Sequence, residues 1–383
     1  MINKNIRYKI FEKADDVPVE EWKKLSKKKS ITLSYEFWKA IECSNIPQIQ
    51  KIKYVVFYIN DSEAVAWAPF YVVRTDIAFL SKGIIRTSLA KIRRLIPCFM
   101  TMKMLECGSP VTMTSPPFLV SEKFPQNIFI KHLRKFLLWQ SLRQLSFIFV
   151  IRDFDKKDSF HKSYKYLFRD LGFIWANNLP NTYLPLHWSS IDEYYQSMRS
   201  HYRHKLQKHL KKNSNEKVKY TIINDFAALS EVLIKQWQVI HDNAKELERE
   251  VITSEFYENI SNRMDTFSSI IYFTKDDKPC AHVLLLHDND MLRWMYIGRE
   301  ESLKDSMYFY IIDKIISYGI DNGFKMIELG LTTYPIKQDF GGQLIQNNIA
   351  ISFVFPIFNF MVSLVWNLFN KPAKYTKRRV FKE

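Results

Sequence analysis

The sequence predicts an α/β (α+β) fold of two halves, each a mixed, mainly antiparallel sheet flanked by helices. Three observations carry that reading. Ser268–Thr274, Cys280–Leu286 and Met291–Gly298 are short runs rich in β-branched and aromatic residues, parted by Asp, Asn, Lys and Pro turns, as in an antiparallel meander. A helical run follows from Asp305 to Gly323, with Met307, Tyr310, Ile311, Lys314, Ile315 and Tyr318 at helical spacing, and then an apolar strand, Phe324–Gly330. Far upstream, Leu145–Ile151 is a continuous apolar run between helical stretches at 128–142 and 160–171, the pattern of a buried strand with helices on its faces.

In chain order, two short helices come first, between Val19 and Ile46. Trp22 and Leu25 share a face of the first, and Ser34 is placed to cap the second. Lys53–Asn60 and Ala64–Val73 read as a hairpin about the turn Asp61–Glu63. Lys82–Pro97 separates Lys82, Arg86, Lys91, Arg93 and Arg94 from Ile85, Leu89, Ile92 and Ile96 at helical spacing. That pattern fits a surface helix on its own core or an interfacial helix. Cys107–Pro110 and Ser115–Pro117 mark loops, and Gly172 stops the last helix of the first half.

Leu179–Trp188, with two prolines, reads as the connector into the second half. Ser190 and Glu193 then form a capping-box signature. The helix they open carries one apolar stripe, Ile191, Tyr195, Met198, Tyr202, Leu206 and Leu210, among Arg199, Arg203, Lys205, Lys208, Lys211 and Lys212. Helices at 226–243 and 254–264, the latter capped by Ser254, lead into the meander. The expected units are therefore 1–180, 181–348 and a tail, 349–383. Ile349–Phe369 is free of charge and near a membrane-spanning length, but Pro356 interrupts it. Asn359, Ser363 and Asn367 recur on one helical stripe opposite Phe358, Met361, Val362, Val365 and Phe369, so strand plus amphipathic helix is expected rather than a span. Lys371, Lys374, Lys377, Arg378, Arg379 and Lys382 follow, and an aromatic helix with a polybasic tail suits an anionic membrane surface.

The 383 residues carry a net charge of +16, which favours an anionic partner over a neutral one, although scattered surface lysines give the same number. Cys43, Cys98, Cys107 and Cys280 lie far apart, pointing to neither a disulfide framework nor a zinc site. The nine histidines lack metal-ligand spacing, so no metal is expected, and neither a GxSxG elbow nor a Walker loop is present. The start of the chain lacks the apolar core of a signal peptide, and a cytoplasmic protein with peripheral contact at the inner membrane face is expected.

Ala281–Leu286, Met295–Gly298, Glu328–Gly330 and Lys337–Gly342, in that order and spacing, resemble the acyl-CoA N-acyltransferase (GNAT) superfamily. The chain looks most like its double-GNAT branch, which holds the CelD-like acetyltransferases and the Fem-type peptidoglycan peptidyltransferases. The Trp-containing helix and the hairpin ending Ala68-Pro-Phe70 resemble the opening of the first GNAT-like half of the CelD-like family, so the resemblance spans most of Thr32–Gly342. It implies two GNAT-like halves and an N-acyltransferase moving an acyl group from acyl-CoA or acyl carrier protein, a co-substrate rather than a bound cofactor. The acceptor would be an amine of a lipid or cell-envelope precursor. It also implies that Arg203 and the Lys337, Gly341, Gly342 loop bind substrate. Acyl transfer needs a base and a proton donor. Glu328, in an apolar run where burial raises its pKa, and His282 are the base candidates, and Tyr334 a donor to the leaving group. Each also has a structural reading: an ion-paired carboxylate, a core histidine, a loop tyrosine. Gly298–Ser306 departs from the GNAT pyrophosphate loop, and Glu300 and Glu301 oppose an anion there. Two alternatives therefore stand beside the acyl thioester reading: a Fem-type transferase using aminoacyl-tRNA, and a non-catalytic membrane- or RNA-binding protein of the same fold.

Overall fold

The computed structural model describes residues 5–49, 51–76, 101–215, 217–243, 250–301, 306–369 and 375–382. The cationic stretch Lys82–Pro97, positions 302–305 of the departing GNAT-loop segment, and Lys371 and Lys374 of the tail lie outside them. The first half contributes β1 (Ile6–Phe11), β2 (Lys53–Ile59), β3 (Glu63–Asp76), β4 (Thr101–Cys107), β5 (Leu119–Val120), β6 (Ile148–Asp155) and β7 (Ile174–Asn177). The second adds β8 (Asn181–Pro185), β9 (Lys219–Ile223), β10 (Ser268–Lys275), β11 (Lys278–Asp288), β12 (Met291–Arg299), β13 (Met326–Gly330) and β14 (Gln343–Ile345), and β15 (Asn347–Phe353) follows in the tail.

Two mixed sheets result, matching the expected fold class. Their orders are β1-β2-β3-β4-β6-β15-β7, with β5 beside β3, and β14-β8-β13-β12-β11-β10-β9. Each contains the same unit: a three-stranded antiparallel meander, a crossover containing a helix, and a parallel return strand. In the first the helix is Gln126–Arg143 and β6 returns beside β4; in the second it is Ser306–Asp321 and β13 returns beside β12. A parallel return demands such a crossover, because a tight turn reverses the chain.

Among the described residues three apolar clusters hold these layers. The first sheet packs one face on helices Gln126–Arg143 and His161–Asp170, and the second packs one face on Ile191–Ser197, Ser200–Asn215 and Ser306–Asp321. Between them lies a shared core in which Phe37, Trp38, Phe256, Tyr257 and Ile260 bring helices of both halves together. At its centre Trp22 lies 4.4 Å from Trp67 between ring centroids, and Trp38 lies 5.5 Å from the same ring. Such pairs add roughly 0.5–1.5 kcal/mol each beyond area burial. The Trp22 indole donates to Leu33 O at 2.8 Å, settling its one polar atom.

Several expectations change in detail. The single helix expected from Ser190 divides into Ile191–Ser197 and Ser200–Asn215, because Met198 turns extended to bridge Phe381 and Arg199 N–H donates to Val380 O at 2.9 Å. Thr253, not Ser254, caps the helix Ser254–Met264 by accepting from Phe256 N. The loop after β13 contains a short helix, Tyr334–Asp339. The tail strand is β15, which inserts between β6 and β7 of the first sheet, and the expected tail helix follows as Pro356–Phe369. The basic end of the chain does not hang free: Arg378 pairs with Asp339, Lys382 donates to Gln196 O at 2.7 Å, and the Phe381 ring packs on Trp188 and Tyr194. Among the described residues no helix is long and apolar enough to cross a membrane.

Candidate functional site

β12 and β13 pair in parallel only from Met291/Met326 to Arg293/Glu328, while β12 runs on to Arg299. The sheet therefore opens beyond Arg293. Just past that point β12 bulges against β11, where Leu284 faces Tyr296 and Leu285 faces Trp294, leaving Met295 as the extra residue. Bulges re-aim side chains and release a backbone position from the ladder.

On the first-half side of this opening lies a cleft of about 400 Å³. Ser30, Thr114, Asp153, Asp155, Lys157 and Tyr164 come to it from the first half; Tyr183, Met291 and Arg293 come from the second. A ladder of buried polar contacts underlies it. Arg293 donates from Nε to Asp288 at 2.6 Å, from Nη1 to Thr114 O at 2.9 Å and to Glu328, and from Nη2 to Ser30 Oγ at 3.2 Å. Asp288 also accepts from Ser30 Oγ at 2.6 Å and Ile31 N at 2.8 Å, so this one arginine–aspartate pair ties the halves together. Removing one member of such a network strands a buried charge.

Asp153 is the exception to this saturation. It sits at a second bulge, where β6 runs beside β15, with a left-handed φ of +63°. Asp tolerates that region better than most residues, yet a non-glycine there still costs on the order of 1–3 kcal/mol. Oδ1 accepts from Asn347 Nδ2 at 3.1 Å. Among the described residues Oδ2 has no hydrogen-bond partner, and the Arg152 guanidinium stands 3.9 Å away. Burial outweighs the arginine and pushes the carboxyl up to about 6. Nearby, Asp155 accepts from the Tyr183 hydroxyl, and Lys157 lies 4.3 Å over the Tyr183 ring, its amine lowered by burial.

The sequence candidates fall around this cleft rather than on it. Glu328 is buried with its pKa raised by desolvation, the direction expected, but Asn181 and Arg293 engage its two oxygens. Its geometry is that of the ion-paired carboxylate. His282 is fully buried, with Nε2 at 2.8 Å from the Tyr257 hydroxyl and Nδ1 at 2.8 Å from Gln236 Oε1; burial lowers it to about 3. Its geometry is that of a satisfied core histidine. Tyr334 donates to Pro180 O at 2.9 Å, with its hydroxyl raised to about 12 by burial. Arg203 lies half-buried on the helix Ser200–Asn215, which supplies none of the cleft lining. Lys337 donates to Leu331 O at 2.6 Å and lies 5.2 Å over the Trp294 ring, beside the strand opening; burial brings its amine down to about 7 against the pull of Glu328. Gly341 and Gly342 do permit close approach, but to protein. A Cβ at Gly341 (φ +85°) would stand 2.3 Å from the Phe381 ring, and one at Gly342 2.6 Å from Thr182.

Sequence reasoning missed Asp153, Asp155 and Arg293. Arg152-Asp-Phe-Asp155, an acid-rich end on an otherwise apolar strand, was the available signal. Arg293 sat unremarked inside an apolar strand, where a charge needs a partner.

A family model described as peptidoglycan biosynthesis/recognition, FemAB-like, matches residues 103–333. The chain belongs to that FemAB-like family. Among solved structures, FemX aligns with a TM-score of 0.56 at 9% identity, covering 91% of this chain and 98% of that one. A tandem GNAT protein from the clavulanic acid biosynthesis pathway aligns at 0.53 and 8% identity, covering 92% and 99%. These likenesses are of fold. In sequence, a Mycobacterium tuberculosis protein provisionally named 8-amino-7-oxononanoate synthase 2 is 25% identical over 316 residues, the same in two strains. The match takes in 80% of this chain, which spans about 40% of the length of those curated relatives. The chain thus has the double-GNAT, Fem-like fold.

Proposed function

We propose that this FemAB-like chain transfers an acyl group to a primary amine of a cell-envelope or lipid precursor seated in the cleft between its halves. The observation that carries the reading is the coincidence of three features: a cleft of about 400 Å³, Arg293 in its lining as the last β12 residue paired with β13, and a buried carboxylate in its wall with one oxygen unbonded among the described residues.

An amine attacks only when neutral, so the site must take its proton. Asp153, ionised above about 6, is suited to do so near neutral pH. The amine nitrogen then bonds to the donor carbonyl carbon, the proton passes to Asp153, and the tetrahedral oxyanion collapses to an amide as the thiolate leaves. The edge of β12 beyond Arg293 has no neighbour in β13, and its N–H groups would meet the donor carbonyl there. Lys337, held beside the opening, would contribute positive charge to the oxyanion when protonated.

Acyl-CoA or acyl carrier protein is the donor in this reading, as a co-substrate. The second reading, an aminoacyl ester on tRNA, is favoured by one feature: Glu300 and Glu301 precede the helix Ser306–Asp321, where a pyrophosphate would meet like charge. Purified full-length protein, radiolabelled acyl-CoA, acyl carrier protein thioester or aminoacyl-tRNA, and amine-bearing envelope precursors separate the two. Label passing from a thioester into an amide is expected. Transfer from aminoacyl-tRNA alone would install the second reading, and transfer from no donor would leave the non-catalytic one.

A further inference from the structure

The tail helix Pro356–Phe369 is built inside out. Its Asn359 turns toward the body: Oδ1 accepts from Phe353 N at 2.8 Å and Nδ2 donates to Phe353 O at 3.1 Å. Over the side chains described, 356–364, the large apolar residues face away. Phe355 and, on the helix, Ile357, Phe358, Phe360, Met361 and Leu364 are between 47% and 64% exposed. An ordinary surface helix does the reverse, with apolar residues on the core and amides in water.

The face does not stop at the helix. Phe147, leading into β6, is 56% exposed and stacks on Phe355 with centroids 6.1 Å apart. Beside it Trp139, Leu142 and Leu145 are also exposed. Scattered apolar side chains need no explanation, but a contiguous set of this kind marks an interaction surface.

Charge indicates the partner. No Asp or Glu occurs from 126 to 152 or from 340 to 382. The exposed Arg143 guanidinium lies 4.5 Å over the Trp139 ring, and Lys103 donates to Gln144 O at 3.1 Å at the same corner. Arg74, in register with Lys103 across β3 and β4, is exposed there too. An apolar face with an aromatic at its rim and cations around it complements acyl chains below and anionic headgroups above.

We propose that this face docks the protein on an anionic lipid bilayer, with the helix Pro356–Phe369 lying in the interface, its apolar side among the acyl chains. Phe147 immediately precedes β6 and Asp153 lies near its far end, six residues or roughly 20 Å along the strand at the usual rise. If the cleft is the transfer site, as read above, its amine is held about that far from the headgroups. That distance suits the extended polar part of an amphiphile better than a short headgroup amine.

Sedimentation of the full-length protein with phosphatidylglycerol vesicles, and separately with phosphatidylcholine vesicles, tests this. Binding is expected to phosphatidylglycerol, to weaken as salt rises, and to be far lower on phosphatidylcholine. The triple variant Phe358→Ser, Phe360→Ser, Leu364→Ser should bind at least about tenfold more weakly, with an unchanged or higher melting temperature and unchanged transfer to a soluble amine. No binding by the unaltered protein, or equal binding by the variant, would overturn the proposal. So would a lowered melting temperature, which would mean that the face is packed against protein, or a dimer that the variant dissolves. Failure of the transfer assay alone would leave it standing.

Discussion

In the first half β4 and β6 pair in parallel through Cys107 and Ile151; in the second, β12 and β13 do so only through Arg293 and Glu328. Both corners carry a buried arginine–glutamate pair, Arg152 with Glu106 at 3.1 Å and Arg293 with Glu328. Beyond the pair they diverge. The first half places Asp153 in a left-handed bulge with an oxygen lacking a hydrogen bond; the second opens its sheet and closes the space around Lys337 with Trp294 and Leu331. One topological unit, used twice, thus yields a buried carboxylate at a bulge in one copy and an opened sheet in the other, which the proposed transfer would use as proton acceptor and donor entrance. The Arg293–Asp288 network that joins the halves is saturated, whereas Asp153 in the cleft wall keeps an oxygen without a hydrogen bond among the described residues.

The comparison breaks most visibly at Arg293. Arg293→Met strands Asp288 and Glu328, and a loss of roughly 3–5 kcal/mol in stability is expected from chemical denaturation. A loss below about 1 kcal/mol would mean that the inter-half network is ornamental. Asp153→Asn keeps the acceptor for Asn347 and removes the base, so transfer should fall by at least about 10²-fold with the melting temperature held or raised. Asp153→Gly should raise stability further by relieving the positive φ, while being equally inactive. Gly341→Ala drives a methyl into the Phe381 ring and should cost on the order of 1–3 kcal/mol, read as a lowered melting temperature.

The smallest effect sharpens the second corner. Lys337, ordinarily near 10.5, is brought to about 7 by burial. Between those values the unfolded chain holds a proton that the native one lacks, so native stability rises with pH across that window. Lys337→Met should flatten that rise, measured as melting temperature against pH. A rise of the same slope in the variant would mean that the lysine is not desolvated.

Much of the fold was legible. The meander of β10–β12, its following helix and β13 are local patterns, and alternation and spacing betray them. Ser34 reads as a cap and is one, accepting from Phe37 N at 3.1 Å. What escaped depends on distant partners: β15 lodging in the first sheet, Phe381 splitting the helix after Ser190, and Asp153 meeting Asn347 across 194 positions. The site followed the same rule. Lys337 was visible from a motif, whereas Arg293 and Asp153 acquire meaning only when two halves bring their strand ends together.

The most direct measurement is the pH dependence of kcat/KM for amine transfer in the unaltered protein and in Asp153→Asn. The account predicts a rising limb near pH 6 that the variant lacks, with only slow residual transfer tracking the free amine. A variant that keeps the limb and the rate would place the proton acceptor elsewhere and contradict the assignment of the cleft.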